Sequence, residues 1–157
     1  MTPEEKMEFA RSREGLQAAR DYLSAALRMD NLIAVRLARL DQLRSRGKSI
    51  SLLLDSVQSG SVSDRVGDTA AELADQEEAL LRDYRELLRL QKEIGDVIAS
   101  VPWDEPRMIL ELRYLQGLSP VAISMKLHYD ERQVYRLHRK GLAHVAFQLA
   151  EKRDYAG

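Results

Sequence analysis

Two long series of mainly apolar residues, spaced alternately three and four positions apart, constrain the fold of this chain more than any other feature. The first series comprises Leu16, Ala19, Leu23, Ala26, Asp30, Ile33, Leu37 and Leu40. The second series comprises Ala70, Leu73, Glu77, Leu80, Tyr84, Leu87, Gln91, Ile94, Ile98 and Val101. This spacing keeps the members on one side of a helix, as in coiled coils, so each series predicts a long helix with one apolar face.

Neither predicted helix can bury its apolar face alone, and the nearest partner along the chain is the other helix. The segment between them, residues 47–68, is rich in Ser and Gly and predicts a long connector with a short helix at residues 50–57. Residues 1–101 are therefore predicted to form a long, coiled-coil-like antiparallel hairpin. The hairpin is expected to serve homodimerisation or contact with another protein.

Composition supports an all-α fold and excludes several classes of site. Hydrophobic residues make up 45% of the chain and charged residues 31%, with only 8 Gly and 4 Pro, which is typical of a folded, helix-rich protein. The absence of Cys excludes disulfides, thiolate zinc sites and a cysteine nucleophile. No apolar run approaches the length of a signal peptide core or a membrane span, so a cytoplasmic protein without membrane contact is expected.

A second predicted domain, residues 102–157, begins where two prolines at positions 102 and 106 break the helical pattern. A short amphipathic helix is predicted at residues 107–115, with Gly117 closing it in a positive-φ conformation. Ser119 is the predicted N-cap of the next helix and Pro120 its first residue. That helix is expected to end near Lys126.

A third helix of this domain is predicted from Asp130, as N-cap, to about Ala150. Its inward positions are Val134, Leu137 and Leu142, and those of the preceding helix are Ile123 and Leu127. Two helices joined by a three-residue turn and held by such an apolar contact form a helix-turn-helix.

The outward side of this third helix is the candidate functional site. Residues 1–101 carry 15 basic and 18 acidic side chains, whereas residues 102–157 carry 9 and 7, so positive charge is concentrated in the second domain. Arg132 and Arg136 are predicted to read bases, because a recognition helix places residues near its N-terminus against base edges. Arg139 and Lys140 are predicted to contact phosphates. The complete candidate DNA-binding set is Glu131, Arg132, Gln133, Tyr135, Arg136, Arg139 and Lys140.

Other motifs in the chain carry no comparable signal. The tripeptide at 47–49 copies the end of a phosphate-binding loop, but the required preceding Gly and strand are missing. His128, His138 and His144 lack the spacing of a zinc site, and His138 is expected to be exposed or on DNA. The numerous carboxylates alternate with Arg and Lys as solvated pairs along helices. We therefore expect no catalytic residues, no metal, no cofactor and no enzymatic activity.

The stretch from Pro106 to Ala143 resembles the promoter-reading C-terminal domain of bacterial sigma factors, called region 4. The resemblance rests on residues 109–115, residues 117–119, Ile123 and residues 134–139. It implies that Glu131, Arg132, Tyr135 and Arg136 touch bases of the promoter's upstream element. With its charged helices and Ser/Gly-rich connector, the whole chain is similar to RinA/ArpU-like late-gene activators of phages and prophages of Gram-positive bacteria.

These observations predict a sequence-specific transcription regulator, phage or prophage encoded, that binds double-stranded DNA and acts with host RNA polymerase. Two alternatives remain open. A DNA-packaging adaptor of the small-terminase type also joins a helix-turn-helix to an oligomerising helical region. A polymerase-binding module that uses the sigma-like fold without binding DNA would show no salt-dependent DNA affinity.

Overall fold

The structure, a computed structural model, describes residues 1–54 and 60–156. Every regular element within these residues is helical, which confirms the predicted all-α fold. In chain order the elements are α1 (Pro3–Arg11), α2 (Arg13–Leu23), α3 (Ala25–Leu54), α4 (Gly60–Ala99), α5 (Asp104–Leu110), a π-helical turn (Glu111–Leu115), α6 (Pro120–Leu127) and α7 (Glu131–Ala156). None of these helices combines the length and the apolar character that a membrane span requires.

Two serines divide the chain before α3. Ser12 has extended backbone (φ −70°, ψ 160°), and its Oγ accepts a hydrogen bond from the amide of Gly15 at 3.0 Å, so it ends α1 and caps α2. Ser24 interrupts the chain again between α2 and α3, although backbone hydrogen bonds of helical spacing cross it. The prediction of one continuous helix from Leu16 onward is therefore wrong, because that series is shared between two helices.

The described chain divides into two compact units. The first contains Met1–Arg28 together with Arg89–Gly157, and the second contains Met29–Leu88. The predicted division after Val101 does not coincide with this arrangement. The reason is that α1 and α2 pack against α7, which brings the beginning and the end of the chain into one unit.

α7 is the central helix of the first unit, since α1, α2, α5 and α6 all contact it. Its side chains Leu142, Val145 and Ala146 are fully buried, as are Ala19 and Leu23 of α2. Burying a Leu or Val side chain stabilises a fold by about 1.5–3 kcal/mol, so these positions supply much of the unit's stability.

α1 is also joined to the end of α7 by charge. The Nζ atom of Lys6 lies 2.9 Å from Oδ2 of Asp154, and the N-terminal amine of Met1 lies 3.6 Å from the same oxygen. The side chain of Thr2 and the side chain of Glu5 form a reciprocal capping box that starts α1. These contacts hold the first turn of α1 beside the last turns of α7.

In the second unit, α3 and α4 lie antiparallel and are linked by ion pairs. Arg36 pairs with Asp83, while Arg44, two turns further along α3, pairs with Glu77, two turns earlier on α4. The Nη2 atom of Arg44 lies 3.1 Å from Oε1 of Glu77. Since the pairs advance in opposite directions along the two helices, the helices run in opposite directions.

The less exposed face of each helix in the second unit differs in phase from the predicted apolar series. On α3 it follows Met29, Ile33, Arg36, Leu40, Leu43 and Gly47, and on α4 it follows Thr69, Leu73, Gln76, Leu80, Asp83 and Leu87. The predicted members Leu37 and Tyr84 are instead 45% and 51% exposed. In this unit, every second position of the predicted series lies one residue beyond the position observed on the less exposed face. That face includes the charged pair of Arg36 and Asp83.

Most of the predicted connector, residues 47–68, is helical. α3 continues to Leu54 and α4 already begins at Gly60, while residues 55–59 lie outside the described part. The short helix predicted at residues 50–57 is, as far as Leu54, simply the end of α3. Helix extension favours this result, because adding a residue to an existing helix costs little even where Ser and Gly have low propensity.

The corner between α1 and α2 leads to a stability prediction. A Cβ atom at Gly15 would lie 2.0 Å from the backbone oxygen of Phe9, so Gly15→Ala must push the two helices apart. We expect this change to lower the free energy of unfolding by about 1–3 kcal/mol, measured by chemical denaturation followed by circular dichroism.

Gly67→Ala is the matched control, because a Cβ there would meet nothing within 4 Å and the residue lies inside α4. It should leave stability unchanged or raise it by about 0.5–1 kcal/mol through higher helix propensity. A Gly15→Ala variant as stable as the unmodified protein would contradict the close approach of Gly15 to the backbone of Phe9.

Candidate nucleic-acid interface

Local capping positions the two helices that carry the candidate site. Gly117 adopts φ +73°, as predicted for the residue that closes the preceding helix. The amide of Leu118 donates to the carbonyl of Leu112 at 3.0 Å, and a guanidinium nitrogen of Arg113 donates to the carbonyl of Leu118 at 3.1 Å. The chain therefore turns sharply before Ser119.

Ser119 and Asp130 both act as the predicted N-caps. The Oγ atom of Ser119 accepts from the amide of Ala122 at 3.1 Å, and Pro120 is the first residue of α6. Asp130 Oδ1 accepts from the amide of Gln133 at 2.7 Å at the start of α7. These hydrogen bonds satisfy amides that have no partner within their own helix.

The turn between α6 and α7 is formed by residues 128–130. His128 adopts the left-handed conformation, with φ 57° and ψ 39°, and ends α6. The hydroxyl of Ser124 donates to the carbonyl of Tyr129 at 2.6 Å, while the amide of Tyr129 donates back to the carbonyl of Ser124 at 3.1 Å. This double connection defines the direction in which α7 leaves the turn.

The predicted apolar contact between α6 and α7 is confirmed. Ile123, Val134 and Leu137 are buried in one cluster with Ile109 and Leu112, and Leu127 packs against it partly buried. The predicted inward position Leu142 is fully buried as well. One side of α7 is therefore held against α5, the π-helical turn and α6.

The opposite side of α7 presents most of the candidate residues to solvent. Exposed side chains are Glu131, Arg132, Tyr135, Arg136, Arg139 and Lys140, whereas Gln133 is half-buried. Residues 132, 136 and 139 recur at steps of four and three, which places their side chains on one helix face. We call these seven residues the α7 face.

The α7 face carries unbalanced positive charge. Within the described residues, Arg132, Arg136 and Arg139 have no salt bridge and no side-chain hydrogen bond. Lys140 is engaged with an aromatic ring, since its Nζ atom lies 4.2 Å from the centroid of Trp103. Glu131 is the single acidic residue of the set, so the face favours an anionic partner.

Residues 47–146 match a family described as "Protein of unknown function (DUF1492)". The chain belongs to this family. The matched region contains α5, α6 and the whole α7 face, whereas α1 and α2 lie outside it. No curated protein and no solved structure matches the chain.

His138 of this DUF1492 protein is not on the α7 face, so the expectation that it is exposed or on DNA is wrong. Its Nε2 atom lies 2.7 Å from the hydroxyl of Tyr114, and the two rings stack with centroids 5.6 Å apart. Burial lowers the pKa of His138 to about 4, and the positive charges of Arg20 and Arg113 act in the same direction. Burial also raises the pKa of Tyr114 to about 12, so the bond joins two neutral side chains at pH 7.

Sequence reasoning also missed Arg11, which α1 brings to the same end of α7 as Arg136 and Arg139. No local pattern identifies this residue, because its position depends on the packing of α1 against α7. The sequence contains only an indirect sign, the Ser12 cap and Gly15 that allow α1 and α2 to meet closely.

The buried imidazole predicts a pH dependence of stability. The folded protein binds a proton at His138 more weakly than the unfolded chain does, because the pKa falls from 6.5 to about 4 on folding. The free energy of unfolding should therefore be highest above pH 6.5 and should decrease by roughly 2–3 kcal/mol as pH is lowered to about 4. Urea denaturation at a series of pH values measures this decrease.

The variant His138→Gln should lose much of that decrease, since it removes the titrating group. Exposed His128 provides the control, and His128→Asn should retain the full pH dependence. Equal pH profiles for His138→Gln and the unmodified protein would show that the imidazole does not titrate as its burial requires.

Proposed function

We propose that this protein is a sequence-specific DNA-binding transcription regulator, phage or prophage encoded, that acts on promoters together with host RNA polymerase. The observation that carries the proposal is the α7 face: a row of guanidinium groups that have no ion-pair partner among the described residues, on a helix whose other side is buried. The short turn at residues 128–130 and the cluster around Ile123 support treating α6 and α7 as a helix-turn-helix.

In this proposal α7 enters the major groove of double-stranded DNA with its N-terminal turns. Arg132 and Arg136 then each donate two parallel hydrogen bonds to a guanine, at O6 and N7. Glu131 accepts from a cytosine amino group, while Tyr135 and Gln133 contact neighbouring bases. Apart from the half-buried Gln133, these side chains are exposed on one end of α7, as such contacts require.

Arg139 and Lys140 follow one turn later and contact backbone phosphates. Phosphate contacts position a recognition helix and supply most of the salt-dependent affinity, without reading sequence. The resemblance of residues 106–143 to the promoter-reading domain of sigma factors supports promoters as the DNA target and RNA polymerase as a second partner.

The second unit supports homodimerisation. Leu81, Tyr84 and Leu88 lie at steps of three and four on α4 and are 50%, 51% and 49% exposed. Leu32 and Val35 of α3 add exposed apolar area in the same unit, at 39% and 69%. An apolar row of this kind is stabilised when another copy covers it, and a two-fold dimer would present two α7 helices to paired half-sites.

If Arg132 and Arg136 contact bases as proposed, replacing either residue should lower the affinity of the protein for DNA. With a binding sequence selected from a random duplex library, Arg132→Ala and Arg136→Ala should each weaken binding by about 1–3 kcal/mol, roughly fivefold to 150-fold in Kd. Fluorescence anisotropy at fixed salt measures the change. Arg139→Ala should instead reduce the salt dependence of log Kd by about one unit of slope.

The control is Arg153→Ala, an exposed cation of the same helix that lies outside the α7 face. It should bind the selected duplex like the unmodified protein. Unchanged affinity and selectivity in both Arg132→Ala and Arg136→Ala would refute base reading by this face. A protein that binds no duplex even at low salt would favour the polymerase-binding alternative.

The dimer proposal predicts that a charge in the apolar row separates the copies. Tyr84→Glu should raise the dimer dissociation constant at least tenfold, because each carboxylate would have to be desolvated at the interface. Sedimentation equilibrium measures this constant, with Gln91→Glu as the control for added charge on an exposed α4 position. A ring of eight or more subunits would favour the packaging alternative, and a monomeric unmodified protein would exclude the dimer.

A further inference from the structure

A pocket of about 590 Å³ lies in the first unit between α1, α2 and α7. Its apolar walls include Met7, Leu16, Trp103 and Phe147, which come from separate parts of the chain. This volume falls within the range of about 300–1,000 Å³ that is usual for small-molecule sites in proteins. The pocket is therefore large enough for an organic ligand.

The charged residues that line this pocket are all cationic. Arg11, Arg136, Arg139 and Lys140 contribute to it, and the lining contains no Asp or Glu. Within the described part of the chain, none of the three arginines has a salt bridge. Four cations without a carboxylate repel one another, so an anion bound among them would lower the electrostatic free energy.

An aromatic pair forms one wall of the pocket. The rings of Trp103 and His144 meet edge to face with centroids 5.7 Å apart, and Lys140 lies over the Trp103 ring. The Nε2 atom of His144 is buried and has no hydrogen-bond partner among the described residues. The wall therefore offers an apolar, aromatic surface to a ligand.

We propose that this pocket binds an amphipathic organic anion, with an aromatic or aliphatic body and a carboxylate, sulfonate or phosphate group. The body is covered by Leu16, Trp103 and Phe147, and the acidic group pairs with Arg11 and Arg139. Both parts of the ligand are needed for the fit. A DNA phosphate alone neutralises the cations but leaves the apolar walls in water.

A ligand bound in this pocket should also affect DNA binding, an effect that rests on the proposed function. Arg136, Arg139 and Lys140 belong both to the pocket lining and to the α7 face. A bound anion pairs with the same cations that contact DNA, so the ligand and DNA compete. The pocket thereby makes DNA binding responsive to a small molecule.

The test uses the dye 8-anilinonaphthalene-1-sulfonate, an aromatic body with one sulfonate group. Trp103 is the single Trp of the chain and lines the pocket, so all energy transfer to the dye starts from a residue of the pocket wall. We expect saturable energy transfer from Trp103 to one dye per chain. The neutral dye N-phenyl-1-naphthylamine, which has the same aromatic body without the sulfonate, should bind at least tenfold more weakly.

Variants of the full chain separate the pocket from other dye sites. Arg11→Gln and Arg139→Gln should each raise the dye Kd by roughly threefold to tenfold, and Ala143→Leu, which fills the pocket, should abolish energy transfer. Arg11 is exposed, so its replacement leaves the core intact, and Arg153→Gln is the matched control. Absence of energy transfer, equal affinity for the neutral dye, or no effect of Arg11→Gln would overturn the pocket assignment.

Competition is measured separately by anisotropy of the selected duplex. Saturating dye should raise the apparent Kd for DNA at least fivefold in the unmodified protein. A protein that binds dye but no duplex would contradict the proposed function and leave the pocket assignment supported. A protein that binds dye and DNA without competition would overturn the regulatory consequence alone.

Discussion

Burial of one side of α7 is the constraint on which the first unit depends. Leu142, Val145 and Ala146 have no exposed surface, and helices from both ends of the chain pack around them. The same burial determines which side chains of α7 remain in solvent. Structure and candidate function are therefore two consequences of one amphipathic helix: its apolar side organises the unit, and its cationic side is left available to a partner.

Local features of this unit were predictable because their causes lie within a few residues. Gly117, Ser119 and Asp130 each act through hydrogen bonds or backbone angles that their immediate neighbours determine. The inward positions of α6 and α7 followed from apolar spacing for the same reason. By contrast, His138 and Arg11 occupy positions set by contacts with distant parts of the chain, so their short-range sequence context did not reveal them.

The second unit shows why a correct periodicity can still have the wrong phase. Leu37 and Tyr84 are apolar and fit a three-and-four series, yet they are exposed, while their neighbours Arg36 and Asp83 lie on the less exposed face and pair with each other. A pattern that assigns only apolar residues to the contact between two helices cannot recognise two opposite charges that pair there. The chain's membership of the DUF1492 family adds no function, so the functional argument depends on the chemistry of the α7 face.

The ion pair of Arg36 and Asp83 has a further effect, on the longitudinal alignment of α3 and α4. Sliding one helix by a heptad would place the Asp83 carboxylate opposite Met29 or Leu43 and would separate it from Arg36, its partner in the structure. Together with the pair of Arg44 and Glu77, this contact therefore favours the observed register over one that is shifted by a heptad.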